Sequence, residues 1–178
     1  MPIYTAVIDG DTGRNDDGVD GCDQFTMDVS STTNVRVREI RLGQYSEFAN
    51  AQAEIVGVQI LKYIGASGDT GSIGSADNDT GSVTPSPVWG TGDTGGGSCR
   101  IMASQDNIKQ DTGITEFTKK VMYSDVFNVA SGWWYYPSEE EMIILEAGDR
   151  MIVRTTKFAD PTTISGTLVY EEIGKRGN

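Results

Sequence analysis

The tripeptide Asp-Thr-Gly occurs five times, beginning at Asp11, Asp69, Asp79, Asp93 and Asp111. In aspartic proteases this triplet supplies one of two carboxylates that share a proton and activate water, which requires burial beside a partner carboxylate. Here the preceding residues are Gly10, Gly68, Asn78, Gly92 and Gln110, so every copy sits in a solvated, turn-like context. A carboxylate in such surroundings keeps its ordinary pKa and does no acid–base work. Gly, Asp and Thr are turn formers, which accounts for the repetition. The chain also contains no histidine. That removes the commonest general base, the Ser–His and Cys–His pairs, and the usual zinc ligand. The sequence therefore predicts a protein that is not an enzyme.

Carboxylates are dense from Asp9 to Asp20. An EF-hand loop needs oxygen ligands at its first, third and fifth positions, Gly at the sixth and Glu at the twelfth. Counting from Asp9, the fifth, sixth and twelfth positions hold Gly13, Arg14 and Asp20, so the pattern fails. A solvated acidic loop is the simpler reading. A nonstandard calcium site built from Asp9, Asp11, Asp16 and Asp17 is the alternative, and no other cofactor is expected. Gly90–Gly97 lacks the Gly-Lys-Ser/Thr ending and the following helix of a phosphate cradle. Cys22 and Cys99 read as small buried or loop thiols, with a single bridge between them as the alternative.

Binding chemistry concentrates in Trp133-Trp134-Tyr135-Tyr136, just before Pro137. Consecutive aromatics on a strand cannot all face one core, because successive side chains alternate. Either Trp133 and Tyr135 line the core while Trp134 and Tyr136 cap its rim, or the cluster meets a partner protein or a sugar ring.

These residues must be held by strands, because period-2 patterning recurs along the chain. Phe25, Met27 and Val29 alternate with polar residues. Val35 and Val37 do so too, and Ile40 and Leu42 continue in the opposite phase, with the slip at Glu39. A one-residue slip inside a strand predicts a β-bulge, since otherwise the apolar set would change faces. Glu54–Ile64 is apolar on both parities, as in a strand covered on both sides. Val121, Tyr123, Phe127 and Val129 form a further stripe. Ile3–Ile8, Arg100–Ala103, Met142–Glu146, Arg150–Phe158 and Ile164–Ile173 complete about nine strands, with one weak helix pattern at Tyr45–Ala53. Between Gly65 and Ser98, ten of 34 residues are Gly and most others are Ser, Thr or Asp. This segment reads as a long inserted loop anchored near Pro85, Pro87 and Trp89.

The 178 residues fit one domain, residues 1–178, and the net charge of −12 argues against a nucleic-acid partner. The N-terminus lacks a signal-peptide pattern and no run reaches the ~18 apolar residues of a membrane span. Synthesis in the cytoplasm and no membrane contact are the expectations.

Tyr136-Pro137 leads into an acidic run, Ser138–Glu141, then Met142–Val153 with the turn Ala147-Gly148-Asp149, and a closing strand, Ile164–Gly174, carrying Tyr170-Glu171-Glu172. A strand, a Gly-Asp turn, a second strand and a closing strand of this kind resemble the last strands of jelly-roll modules in tailed-bacteriophage virion proteins. Those include head decoration (cement) proteins and some neck and tail components. Ala147 stands where proline is frequent. The resemblance covers about forty residues of the C-terminal third and brings no catalytic residue with it. It implies an all-β, antiparallel β-sandwich of jelly-roll type and a homotrimer seated on a major capsid protein, on the outer surface of the virion. Residues 1–9, with Ile3 and Tyr4, would be an N-terminal arm adding a strand to a neighbour, or an edge strand. A neck, tail or fibre component is the nearest alternative. A carbohydrate-binding module, resting on Trp133–Tyr136, is the other.

Overall fold

The alternating apolar segments become strands in the computed structural model, which describes residues 3–13, 21–30, 32–44, 55–66, 80–83, 86–87, 99–104, 117–128, 130–156 and 162–174. In chain order the strands are β1 (Ile3–Gly13), β2 (Gly21–Asp28), β3 (Thr33–Gln44), β4 (Ile55–Tyr63), β5 (Thr80–Val83) and β6 (Ser86–Pro87). They continue with β7 (Arg100–Ser104), β8 (Lys119–Asn128), β9 (Trp133–Tyr135), β10 (Ile144–Leu145), β11 (Arg150–Thr156) and β12 (Thr162–Gly174). Among the described residues there is no helix.

All pairings are antiparallel and form two six-stranded sheets. The first runs β10-β3-β12-β1-β6, with β9 pairing β3 along the same edge as β10. The second runs β5-β7-β2-β11-β4-β8. Their inner faces share one apolar core, to which the first sheet contributes Val35, Val37, Ile40, Leu42, Leu168 and Tyr170. Phe25, Met27, Val56, Val58, Ile60 and Val153 face them from the second. Each fully buried large apolar side chain is worth about 1.5–3 kcal/mol over its exposed state, so this layer supplies the main driving force for folding. The sheets approach closely at Gly166, where an added Cβ would lie 3.0 Å from the Phe25 ring and 2.9 Å from the Arg41 carbonyl oxygen. The architecture is that of an all-β sandwich.

The expected bulge in β3 is present. Val37 pairs with Tyr170 and Glu39 with Val169, leaving Arg38 as the extra residue. Because of it Val35, Val37, Ile40 and Leu42 are all buried despite their mixed parity. A second bulge overturns part of the β8 reading. Ile60 pairs with Tyr123 but Leu61 with Val121, so Met122 is extra and Val121 turns outward. The apolar stripe seen in the sequence is thus divided between two faces.

β4 is buried on both sides at its C-terminal end. Ile60 enters the main core, while Leu61 and Tyr63 join Ala66, Ile152 and Phe117 in a second cluster. The outer face of the second sheet also carries two ion pairs. The Arg150 Nε donates to Asp28 Oδ1 at 2.6 Å, and the Arg154 Nη2 to Asp23 Oδ2 at 2.9 Å.

The Gly-Asp turn locks several elements together. Gly148 has φ +92°, the left-handed region that glycine occupies without penalty. Buried Asp149 accepts from the Glu146 and Gly65 amides at 2.8 and 3.2 Å and pairs with Lys62 Nζ at 2.7 Å.

One expectation is narrowed and one corrected. Of the two readings of residues 1–9, an arm given to a neighbour or an edge strand, the second is nearer: residues 3–13 form β1, which pairs along its length with the chain's own β12 and, among the described residues, is flanked on its other side at Tyr4 and Thr5 by two-residue β6. The long Gly-rich segment also contains two short strands: β5 pairs with β7 and β6 with β1. Main-chain pairing needs no apolar side chains, which is why composition failed to signal them. Residues 67–79, 84–85 and 88–98, the helix pattern from 45 to 53, Asp16 and Asp17 lie outside the described residues. Asp9 and Asp11 fall within β1.

Candidate binding face

The aromatic run alternates as strand geometry demands. Trp133 and Tyr135 on β9 are 6% and 5% exposed, whereas Trp134 is 61% and Tyr136 73% exposed. The turn before β9 requires Gly132, with φ +72°, because a Cβ there would lie 2.9 Å from the Leu42 carbonyl oxygen. That close approach seats β9 on β3, pairing Leu42 with Trp133 and Arg41 with Trp134.

The inward pair closes one side of the sandwich. Tyr123 and Phe127 from the edge of the second sheet meet Trp133 with ring centres 6.0 and 6.5 Å apart, and Tyr123 meets Tyr135 edge-on at 5.0 Å. Asp125 sits at this seam. It accepts from the Val126 amide at 2.8 Å, the Tyr123 hydroxyl at 3.2 Å and the Trp133 indole Nε1–H at 3.3 Å. Chiefly through the Val126 amide, these donors hold its carboxyl below the usual aspartate range, against an opposing effect of burial. Burial pushes the Tyr123 phenol up, and the charge of Asp125 adds to this. Trp133 and Tyr135 are therefore core residues, not contacts for a partner.

Tyr4 is likewise removed from the candidate contacts: it is buried and stacks on Tyr170 at 5.5 Å. Ile3 is partly buried on β1, and Trp89 lies outside the described residues. Of the residues singled out in the sequence, Trp134 and Tyr136 are the ones placed together on the surface, with ring centres 6.0 Å apart.

The outer face of the first sheet adds residues that the sequence alone did not mark. The Arg41 guanidinium lies 4.8 Å over the Trp134 ring, a cation–π contact, and its Nε pairs with Glu39. Farther along β3, Arg38 Nη2 donates to buried Glu171 at 2.6 Å, with Arg36 Nη1 3.7 Å from the same oxygen. Among the described residues three arginines thus face two glutamates on this surface, a local positive excess in a chain of net charge −12. Beside Trp134 lies an open groove of about 600 Å³, lined also by Val7, Arg41, Gly43, Ser165 and Thr167. The outward direction of Arg41 was legible from its place between Ile40 and Leu42. Its partners depend on register between strands distant in sequence.

The chain matches no family model, no curated protein and no solved structure. No helix among the described residues is long and apolar enough to cross a membrane.

Proposed function

We propose that this chain is a virion structural protein of a tailed bacteriophage, acting as a capsid decoration protein of jelly-roll type. Support for the fold comes from the way successive strands change sheets. β1, β3, β9–β10 and β12 lie in one and β2, β4, β8 and β11 in the other, in the orders β1-β12-β3-β10 and β2-β11-β4-β8. Two four-stranded layers so connected have the pattern of a double Greek key, an architecture used by viral capsid and lectin domains. β5, β6 and β7 then embellish the connection between β4 and β8.

Fold alone does not give function. The observation that carries the assembly reading is an apolar surface on the outer face of the second sheet. Ile55 is 73% and Val126 65% exposed, and the pairing of Gly57 with Val126 makes them diagonal neighbours. Exposed Val121 lies farther along the same strand. Apolar side chains held outward by a rigid sheet are suited to burial against a neighbouring subunit. On this reading the partners are the major capsid protein and two further copies of the chain, and the negative charge keeps the decorated particle soluble.

The test combines light scattering with co-sedimentation on shells of the cognate major capsid protein. A trimer binding at a fixed ratio is expected. A monomer indifferent to shells would remove the proposal, and binding to necks or tails instead of shells would move its seat on the particle. A carbohydrate-binding module on the same fold is the second reading, favoured by the groove beside Trp134.

A further inference from the structure

The groove originates in the register of the first sheet. One cross-strand row on the outer face runs Val7, Thr167, Arg41, Trp134. The next row pairs Ser165 with Gly43, and a Cβ added at Gly43 would meet nothing within 4 Å. A row of large side chains beside a row of almost none leaves a trough. Its volume of about 600 Å³ lies within the range of roughly 300–1,000 Å³ for small-molecule sites.

We propose that this groove binds an acidic saccharide, with one sugar ring against Trp134 and the sugar's anionic group on the Arg41 guanidinium. The inference deepens the carbohydrate reading and rests on it. A pyranose has an apolar C–H face and a rim of hydroxyls. The groove offers the complementary set: an indole that is 61% exposed, and hydroxyls at Ser131, Ser165 and Thr167. Ser131 Oγ donates to the Asn128 carbonyl oxygen at 2.9 Å and Ser165 Oγ to the Gly43 carbonyl oxygen at 3.5 Å, which leaves their lone pairs to accept from sugar hydroxyls.

The charge follows from Arg41. Its Nε is engaged by Glu39, while among the described residues its terminal nitrogens have no ion-pair partner. No carboxylate is among the described residues that line the groove. The two terminal nitrogens present the fork geometry that grips a carboxylate or phosphate oxygen pair. The positive excess around Arg36, Arg38 and Arg41 draws an anion toward this face and away from the acidic remainder of the molecule.

The experiment is calorimetric titration of the full chain with a panel of uronate, sialylated and phosphorylated oligosaccharides, each beside a neutral counterpart. At least one acidic sugar should bind about ten-fold or more tightly than its neutral counterpart, a preference that disappears in Arg41→Gln. Trp134→Ala should abolish binding. Gly43→Leu, which fills the trough from its floor and leaves both contact residues in place, should abolish it too. Melting curves confirm that each variant folds. Equal affinity for the neutral sugars, or a preference retained in Arg41→Gln, overturns acid recognition and leaves the carbohydrate reading standing. Undiminished binding in Gly43→Leu overturns the site. Failure of every sugar overturns both, and co-sedimentation with shells reports separately on the assembly role.

Discussion

Trp133 and Trp134 are neighbours in sequence with opposite physical roles. Replacing buried Trp133 by Ala removes the indole that packs on Tyr123 and Phe127 and bonds Asp125. The expected loss is about 3–5 kcal/mol of stability, read as a lower denaturation midpoint. Trp134→Ala should change stability by no more than about 0.5 kcal/mol, because the ring is mostly in water. Equal effects of the two substitutions would contradict this assignment. A second test concerns Cys99, a free, buried thiol whose pKa burial, with help from Glu172, pushes from 9.0 up to about 12. The folded state then favours the neutral thiol. Its contribution is complete below pH 9.0 and is lost as the pH climbs toward about 12, while the unfolded chain ionises and the folded chain does not. The Tyr170 phenol is pushed up in the same way, chiefly by burial and next by Cys99. Denaturation midpoints measured across this range should fall, and Cys99→Ala should flatten the fall. An unchanged alkaline decline in that variant would rule the thiol out as its source.

The most testable feature among the elements is the bulge at Arg38. Deleting Arg38 leaves Val35, Val37, Ile40 and Leu42 in strict alternation, so all four can stay on the inner face of a regular, unbulged strand with the pairing to β12 unchanged. Such a variant should still fold, retaining its near-ultraviolet circular dichroism and losing chiefly the Arg38–Glu171 ion pair. Loss of soluble, folded protein on this deletion would mean that the bulge itself is required. This bulge was legible because the slip in parity lies within one strand. The one at Met122 was not, since Val121 keeps the same parity as Tyr123 and only pairing with β4 reveals the extra residue. β9 was also missed as a strand. Its three residues are too few to establish a period, and pairing with β3, seated by the Gly132 turn, defines it.

For the molecule as a whole, the two sheets divide the surface into a positively biased aromatic face and an apolar face centred on Ile55 and Val126. The double substitution Ile55→Lys with Val126→Lys should leave the melting temperature nearly unchanged, because both side chains are already exposed. It should reduce co-sedimentation with shells by about ten-fold or more if that face is the seat, each buried apolar side chain being worth about 1.5 kcal/mol or more. Undiminished co-sedimentation would direct attention to another surface. Trp134→Ala in the same assay should bind shells as the unaltered chain does, since its role is on the opposite sheet.

Local periodicity was enough to determine that the chain is all-β, where nine of its twelve described strands lie, that β3 carries a bulge, and that the aromatic run must split between core and surface. Those properties follow from alternation of side chains along a single strand, and neighbouring residues encode them. Which strands pair, and therefore that Arg41 lies over Trp134 beside an empty position at Gly43, was decided only by the tertiary structure. Val7, Gly43, Trp134 and Ser165 come from four separate strands, and no local pattern records the register that brings them into one groove.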